Sequence, residues 1–179
     1  MDYWYRYEWQ HRGSVHVHGI AKKRNAPIID WNLMKADENY MENVVRYIDS
    51  IVTTVNPGIN APRAERHPCQ KCPDEIDDGI QDYTELINKL QRHTVCSSSY
   101  CIRVKRGQQT CRFGYPKECC DRTIIQDDKN GQPELITKRN DTLINPHNRL
   151  QLQGWRANVD LKPILSIHAV ITLLFSGLS

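Results

Sequence analysis

His16 and His18 alternate around Val17 in the stretch Glu8-Trp-Gln-His-Arg-Gly-Ser-Val-His-Val-His-Gly19. In an extended strand, residues two apart share a face, so both imidazoles project together while Val15, Val17 and Gly19 point the other way. Glu8 and Gln10 obey the same rule on the preceding aromatic run, Tyr3 to Trp9. Paired as a hairpin through the His-Arg-Gly turn, the two runs can bring two imidazoles together with a carboxylate or a carboxamide. Imidazole and oxygen donors without a thiolate suit a divalent cation such as Mg²⁺, Mn²⁺ or Zn²⁺, with positions open for a phosphate oxygen. Two solvent-facing histidines on a half-buried strand would give the same pattern.

A second set has the spacing of a closed metal site: His93-x₂-Cys96-x₄-Cys101-x₉-Cys111. One imidazole and three thiolates make the tetrahedron of a structural zinc, and the close first three ligands fit a compact knuckle. The alternative is reduced cysteines packing as small hydrophobes. Cys69-x₂-Cys72, preceded by His67, is a rival pair, but only the adjacent Cys119 and Cys120 remain to complete it. Those four cysteines are therefore read as non-ligands.

Inside and just after the knuckle lies a basic block. Cys101 to Arg122 holds six Lys/Arg, among them Arg103, Lys105, Arg106 and Arg112, against Glu118 and Asp121. A metal there would fix the basic residues in place, ready for phosphates, although the whole chain carries only +3. The acidic counterweight is Asp74 to Glu85, with six acids and no base. A solvated charged face is the plainer account of each.

The elements that must position these groups follow from periodicity. Met41, Val44, Val45, Ile48, Ile51, Val52 and Val55 recur at helical steps, predicting a helix within 37–56 that Asn56-Pro57-Gly58 ends. Residues 57–81 read as a long loop. Tyr83, Leu86, Ile87 and Leu90 mark a second helix over 82–93, with His93 near the end of its apolar face. Strands are expected at 101–105, 123–126 and 134–137, the last two joined through Lys-Asn-Gly. Asn145-Pro146 suggests a helix start, with Leu150, Trp155 and Val159 on one face.

At 179 residues, 39% hydrophobic and 25% charged, the chain has the length and composition of one ordinary globular domain. No secretory signal opens it. The apolar run 164–179 contains His168 and is too short to read as a membrane span. Seven irregularly spaced cysteines argue for a reducing compartment rather than a disulfide framework.

The stretch EWQHRGSVHVHG, followed in order by CRFGYPK, RNDTLINPHNRL and WRANVDLKPILS, resembles the Rep-like domain of Helitron transposases. These are relatives of rolling-circle replication initiators with a His-hydrophobic-His signature. The likeness runs over most of residues 3–170. It implies Glu8, His16 and His18 as ligands of Mg²⁺ or Mn²⁺, with Gln10 the alternative to Glu8. It also implies single-stranded DNA as partner, a nuclear location, and nicking by a tyrosine that attacks the metal-polarised phosphate.

The tyrosine helix expected after LKPILSIHAVI has no counterpart in this sequence. The last tyrosine is Tyr115, and the helicase half of such transposases is not in these residues. The resulting expectation is a partial Rep-like domain over 1–179, able to bind metal and single-stranded DNA but lacking its nucleophile. A zinc-containing DNA-binding module and a structural or interaction protein are the alternatives. The expected fold is α+β: an antiparallel sheet carrying the His-hydrophobic-His motif, helices 37–56 and 82–93 on one face, and a zinc-stabilised insertion around 93–111.

Overall fold

The computed structural model describes residues 1–9, 15–62, 64–105 and 107–166. The chain is α+β, with small antiparallel sheets and short helices. Its strands are β1 (Asp2–Trp9), β2 (Val15–Lys22), β3 (Ile102–Lys105), β4 (Gln108–Cys111), β5 (Ile124–Asp127) and β6 (Pro133–Ile136). Its α-helices are α1 (Trp31–Ala36), α2 (Glu38–Asp49), α3 (Gly79–Leu86) and α4 (Arg149–Trp155). Among the described residues the strands form three separate hairpins, β1–β2, β3–β4 and β5–β6.

Local chemistry sets the helix boundaries. Asp30 caps α1, its carboxylate accepting from the Asn32 and Leu33 amides at 2.9 and 3.2 Å. Asp37 closes α1 through its own amide, then caps α2 by accepting from Asn39 and Tyr40. Each such carboxylate satisfies amides that the helix cannot, and also meets the positive end of the helix dipole. α2 buries Val44 and Ile48, which join Met34, Val52, Ile125 and Leu165 in one core. The expected helix over 37–56 therefore exists but stops at Asp49, and Val52 enters the core from the segment beyond it.

A second core holds Tyr83, Leu86, Ile87, Ile144, Leu152 and Val159, and Leu161 packs against both cores. α3 runs on into a π-helical turn, Ile87–Gln91. That turn ends the helix before His93, which lies in extended chain where Arg92 bridges Ile144. α4 begins at Arg149 rather than at Asn145-Pro146, because Asn148 is the cap, accepting from the Gln151 amide at 2.9 Å. Leu152 is its buried residue, whereas Leu150 and Trp155 are exposed. The face expected from Leu150, Trp155 and Val159 is thus misassigned: only Val159 is buried, and it lies beyond the end of α4.

The expected single sheet, with helices over one face, is also corrected. α2 packs instead on the β5–β6 hairpin, through Ile125 and Leu135, and Leu161 and Leu165 close the same core. The apolar stripe of α2 is used up there, and those of α3 and α4 in the second core. Among the described residues neither core draws a side chain from β1–β2.

Candidate metal centre

The segment 139–148, Arg-Asn-Asp-Thr-Leu-Ile-Asn-Pro-His-Asn, is the spine on which the centre is built. Arg139 is buried and donates to the carbonyls of Asp141 and Ile144 at 3.1 and 2.7 Å. Asn140 and the Asn56 backbone exchange two bonds, at 2.8 and 2.9 Å. The buried Asn56 amide donates in turn to Asn88 and Asp141, and Arg92 pairs with Asp141 at 3.1 Å. Arg139, Asn56 and Asp141 are buried and hydrogen-bonded and so hold one geometry, since each lost partner would leave a costly orphan. Arg92 Nε, by contrast, meets Asp141 as an ion pair without hydrogen-bond alignment.

The knuckle hangs from this spine at both ends. The His93 amide donates to the Leu143 carbonyl at 2.8 Å, and the Lys117 amide to Thr142 at 2.9 Å. Tyr115 reaches the Ile144 carbonyl at 3.3 Å and also bonds the Asn145 side chain. Between these anchors, β3 and β4 pair with Ile102 opposite Cys111 and Lys105 opposite Gln108. Gly114, at φ 70°, makes the turn after Cys111 and returns its amide to the Cys111 carbonyl. A side chain in that left-handed conformation would be strained.

This folding brings His93, Cys96, Cys101 and Cys111 together, with one donor atom from each within 4.8 Å of the others. His93 Nε2 lies 3.2 Å from Cys96 Sγ, 3.6 Å from Cys101 Sγ and 3.5 Å from Cys111 Sγ. Cys96 and Cys101 are 3.3 Å apart, well beyond a disulfide at about 2.05 Å. A tetrahedral zinc with bonds of about 2.3 Å to sulfur and 2.0 Å to nitrogen separates its donors by roughly 3.5–3.8 Å. The observed spacings need only a slight expansion to match. The cluster can hold a metal ion such as zinc, and a donor set of three thiolates and one imidazole leaves no open position for a substrate.

The thiols are set in opposite directions. Burial pushes the Cys111 thiol up, but the Tyr115 and Phe113 amides aimed at its sulfur hold it below the usual thiol value. Cys96 has the opposite setting: its bond with the Cys101 thiol, then burial, pushes it up to about 12. Binding a metal must therefore displace protons from the cluster. The His93 ring is stacked on Tyr115 at 4.7 Å and meets Phe113 edge-on at 5.9 Å, which fixes the imidazole plane. These two aromatics were missed as site residues, although their place directly after Cys111 in CRFGYP was the available signal.

The basic residues are placed unevenly. Arg103 is exposed on β3, and its guanidinium bonds the Ile102 carbonyl. Arg112 lies over Phe113 at 4.5 Å and Tyr100 at 5.7 Å, both rings being exposed. Lys105 belongs to β3, and Arg106 lies outside the described residues.

On the first hairpin, Glu8 pairs directly with His16 and Arg6 with His18. Glu8, His16 and His18 share one face. The two imidazole centroids are 6.3 Å apart, and His18 Nε2 is 2.9 Å from Glu8 Oε2. Gln10 and the turn lie outside the described residues. Tyr3, Tyr5 and Tyr7 alternate onto the opposite face, away from the histidines. Cys72 and Cys119 are exposed free thiols, and Cys120 donates to the Arg122 carbonyl at 2.8 Å.

The molecule is thus an α+β chain with one preassembled His-Cys₃ cluster, and no helix among the described residues is long and apolar enough to cross a membrane. No family model, curated protein or solved structure matches it.

Proposed function

We propose that this chain is a Rep-like piece of a Helitron-type transposase that binds single-stranded DNA in the nucleus through a zinc-organised knuckle. The observation that carries the reading is the lobe on which the His-Cys₃ cluster, exposed Tyr100 and Phe113, and Arg103 and Arg112 converge. Unstacked bases lie flat on aromatic rings, and guanidinium groups meet the phosphates between them. The ordered series of sequence motifs supplies the link to transposition.

The hairpin face of Glu8, His16 and His18 is the second cation site of this reading, for Mg²⁺ or Mn²⁺. Nicking through a β1 tyrosine is not expected, since those tyrosines project from the face opposite the histidines. A reading in which the hairpin is idle and zinc alone organises binding is favoured by the donor geometry: Glu8 and His18 pair with each other, and among the described residues only the His-Cys₃ set converges as a metal-holding group.

Titration of the zinc-loaded chain with a labelled oligothymidylate tests the proposal. Cys111→Ser should weaken binding at least tenfold, and the double variant His16→Ala/His18→Ala should remove Mn²⁺ binding while leaving zinc in place. Unchanged affinity in Cys111→Ser would refute the knuckle as the DNA site. A covalent adduct formed with Mn²⁺ and lost on substituting one tyrosine would replace the binding reading with an enzyme.

A further inference from the structure

The two faces of the β1–β2 hairpin differ in charge. One carries Asp2, Arg6, Glu8, His16, His18 and Lys22, with Trp4 and Ile20 among them. The other carries Tyr3, Tyr5, Tyr7 and Trp9 along β1, and Val15, Val17, Gly19 and Ala21 along β2, with no charge anywhere. Cross-strand register sets each aromatic of that second face beside a smaller residue: Tyr3 with Ala21, Tyr5 with Gly19, Tyr7 with Val17 and Trp9 with Val15. Tyr3 and Tyr5 are stacked and Tyr5 meets Tyr7 edge-on, so the aromatics form a continuous ridge. Gly19 has no room for a Cβ, which would lie 2.9 Å from the Trp4 carbonyl oxygen, so β2 keeps a trough at Gly19 and Ala21.

The face is open to solvent. Tyr3 is 69%, Tyr5 51%, Tyr7 60% and Trp9 76% exposed. A two-stranded hairpin with such a face is marginal in water by itself and gains its stability from something laid against it.

We propose that a second copy of this chain covers the face, in a two-fold dimer whose axis runs along the strands. Rotation about that axis lays each β1 over the other copy's β2 in the same register. Tyr5 of one copy then stands over Gly19 of the other, and Tyr3 over Ala21. The ridge drops into the trough, which is the self-complementarity that a two-fold interface demands. Given what aromatic side chains bury, the face offers on the order of 600 Å² per copy. Two such faces reach about 1,200 Å², the lower limit for a specific, stable interface. The absence of charge means that nothing on this face repels its own image, and it also leaves nothing to hold a nucleic-acid backbone. The histidine faces remain outermost in the dimer, so the inference stands independently of the DNA-binding reading.

Sedimentation analysis of the full zinc-loaded chain tests this. A dimer with a dissociation constant on the order of micromolar is expected, and Tyr7→Lys should weaken it at least tenfold. Ala21→Trp is the discriminating variant. It adds apolar surface but fills the trough, so it should also weaken the dimer at least tenfold. Unspecific stickiness would instead be strengthened by the added tryptophan. Both substitutions lie outside the two cores, and unchanged zinc content and helical circular dichroism would establish that each variant is folded. The inference fails if the chain is monomeric at about 100 μM, far above the expected constant. It fails equally if Ala21→Trp tightens association or produces larger aggregates. Monomeric chain whose affinity for single-stranded DNA falls at least tenfold on Trp9→Ala would overturn it in favour of a nucleic-acid platform.

Discussion

At the scale of single residues, the cluster and His147 carry the clearest consequences. Cys101 is the fully buried member of the metal set. Cys101→Ser should therefore reduce bound zinc from about one equivalent per chain to near zero, as read by metal analysis of purified protein. His147 is wholly buried, with Nε2 at 2.8 Å from the Tyr83 hydroxyl and Nδ1 at 2.9 Å from the Asn145 carbonyl. Burial lowers its pKa from the ordinary 6.5, against the raising effect of the Asn145 carbonyl. The folded ring thus takes up its proton at lower pH than the unfolded chain does. Its contribution is fully present above the unfolded value and is lost as pH falls from there toward the folded value. Urea unfolding at pH 7.5 and 5.5 should show this loss, by at most about 1.4 kcal/mol per pH unit from the one group. His147→Gln should flatten the difference. None of this was legible in the sequence, where His147 was one histidine among seven. Its importance comes from the Tyr83 hydroxyl 64 residues away.

At the scale of elements, a helix survives or fails on its cap and its buried stripe. Asn148 caps α4 and also donates to the Ile51 carbonyl at 2.9 Å, tying α4 to the chain after α2. Asn148→Ala should cost about 1–2 kcal/mol in chemical denaturation, the upper half reflecting the second bond. Leu152→Ala should cost about 2–5 kcal/mol, whereas Leu150→Ala at the exposed neighbouring position should stay within about 0.5 kcal/mol. The contrast matters because periodicity assigned Leu150 to the inner face. Where seven apolar residues recurred at helical steps, as from Met41 to Val55, the sequence pattern identified the helix. Where the helix was two turns long, its phase depended on which asparagine capped it, and Asn145 and Asn148 look alike in sequence. α1 went unnoticed for the same reason, because its six residues bury only Met34. The strands at 102–105, 124–127 and 133–136 were legible from β-branched residues and turn chemistry, as were the β1–β2 and β5–β6 hairpins, but β4 and the separation of the strands into three sheets were not. Whether hairpins join into one sheet depends on long-range packing.

At the scale of the whole molecule, DNA binding by the knuckle should carry the salt signature of its phosphates. Arg103→Ala/Arg112→Ala should lower affinity at every sequence tested and reduce the slope of log affinity against log salt by about 1.4. Fluorescence titrations at several salt concentrations would measure it. The His-Cys₃ spacing was legible because a closed tetrahedron constrains chain spacing strongly, whereas the spine at 139–148 displayed only polar residues whose partners lie far along the chain. That spine has a further effect on how the protein comes apart. Residues 142–145 pin both the entry and the exit of the knuckle, so the loop is already cinched before any ion arrives. Stripping the ion with a chelator should slacken the lobe without loosening its mooring. Amide exchange would then quicken between the pins while α2 and α3 keep their protection, giving two separable clocks within one domain.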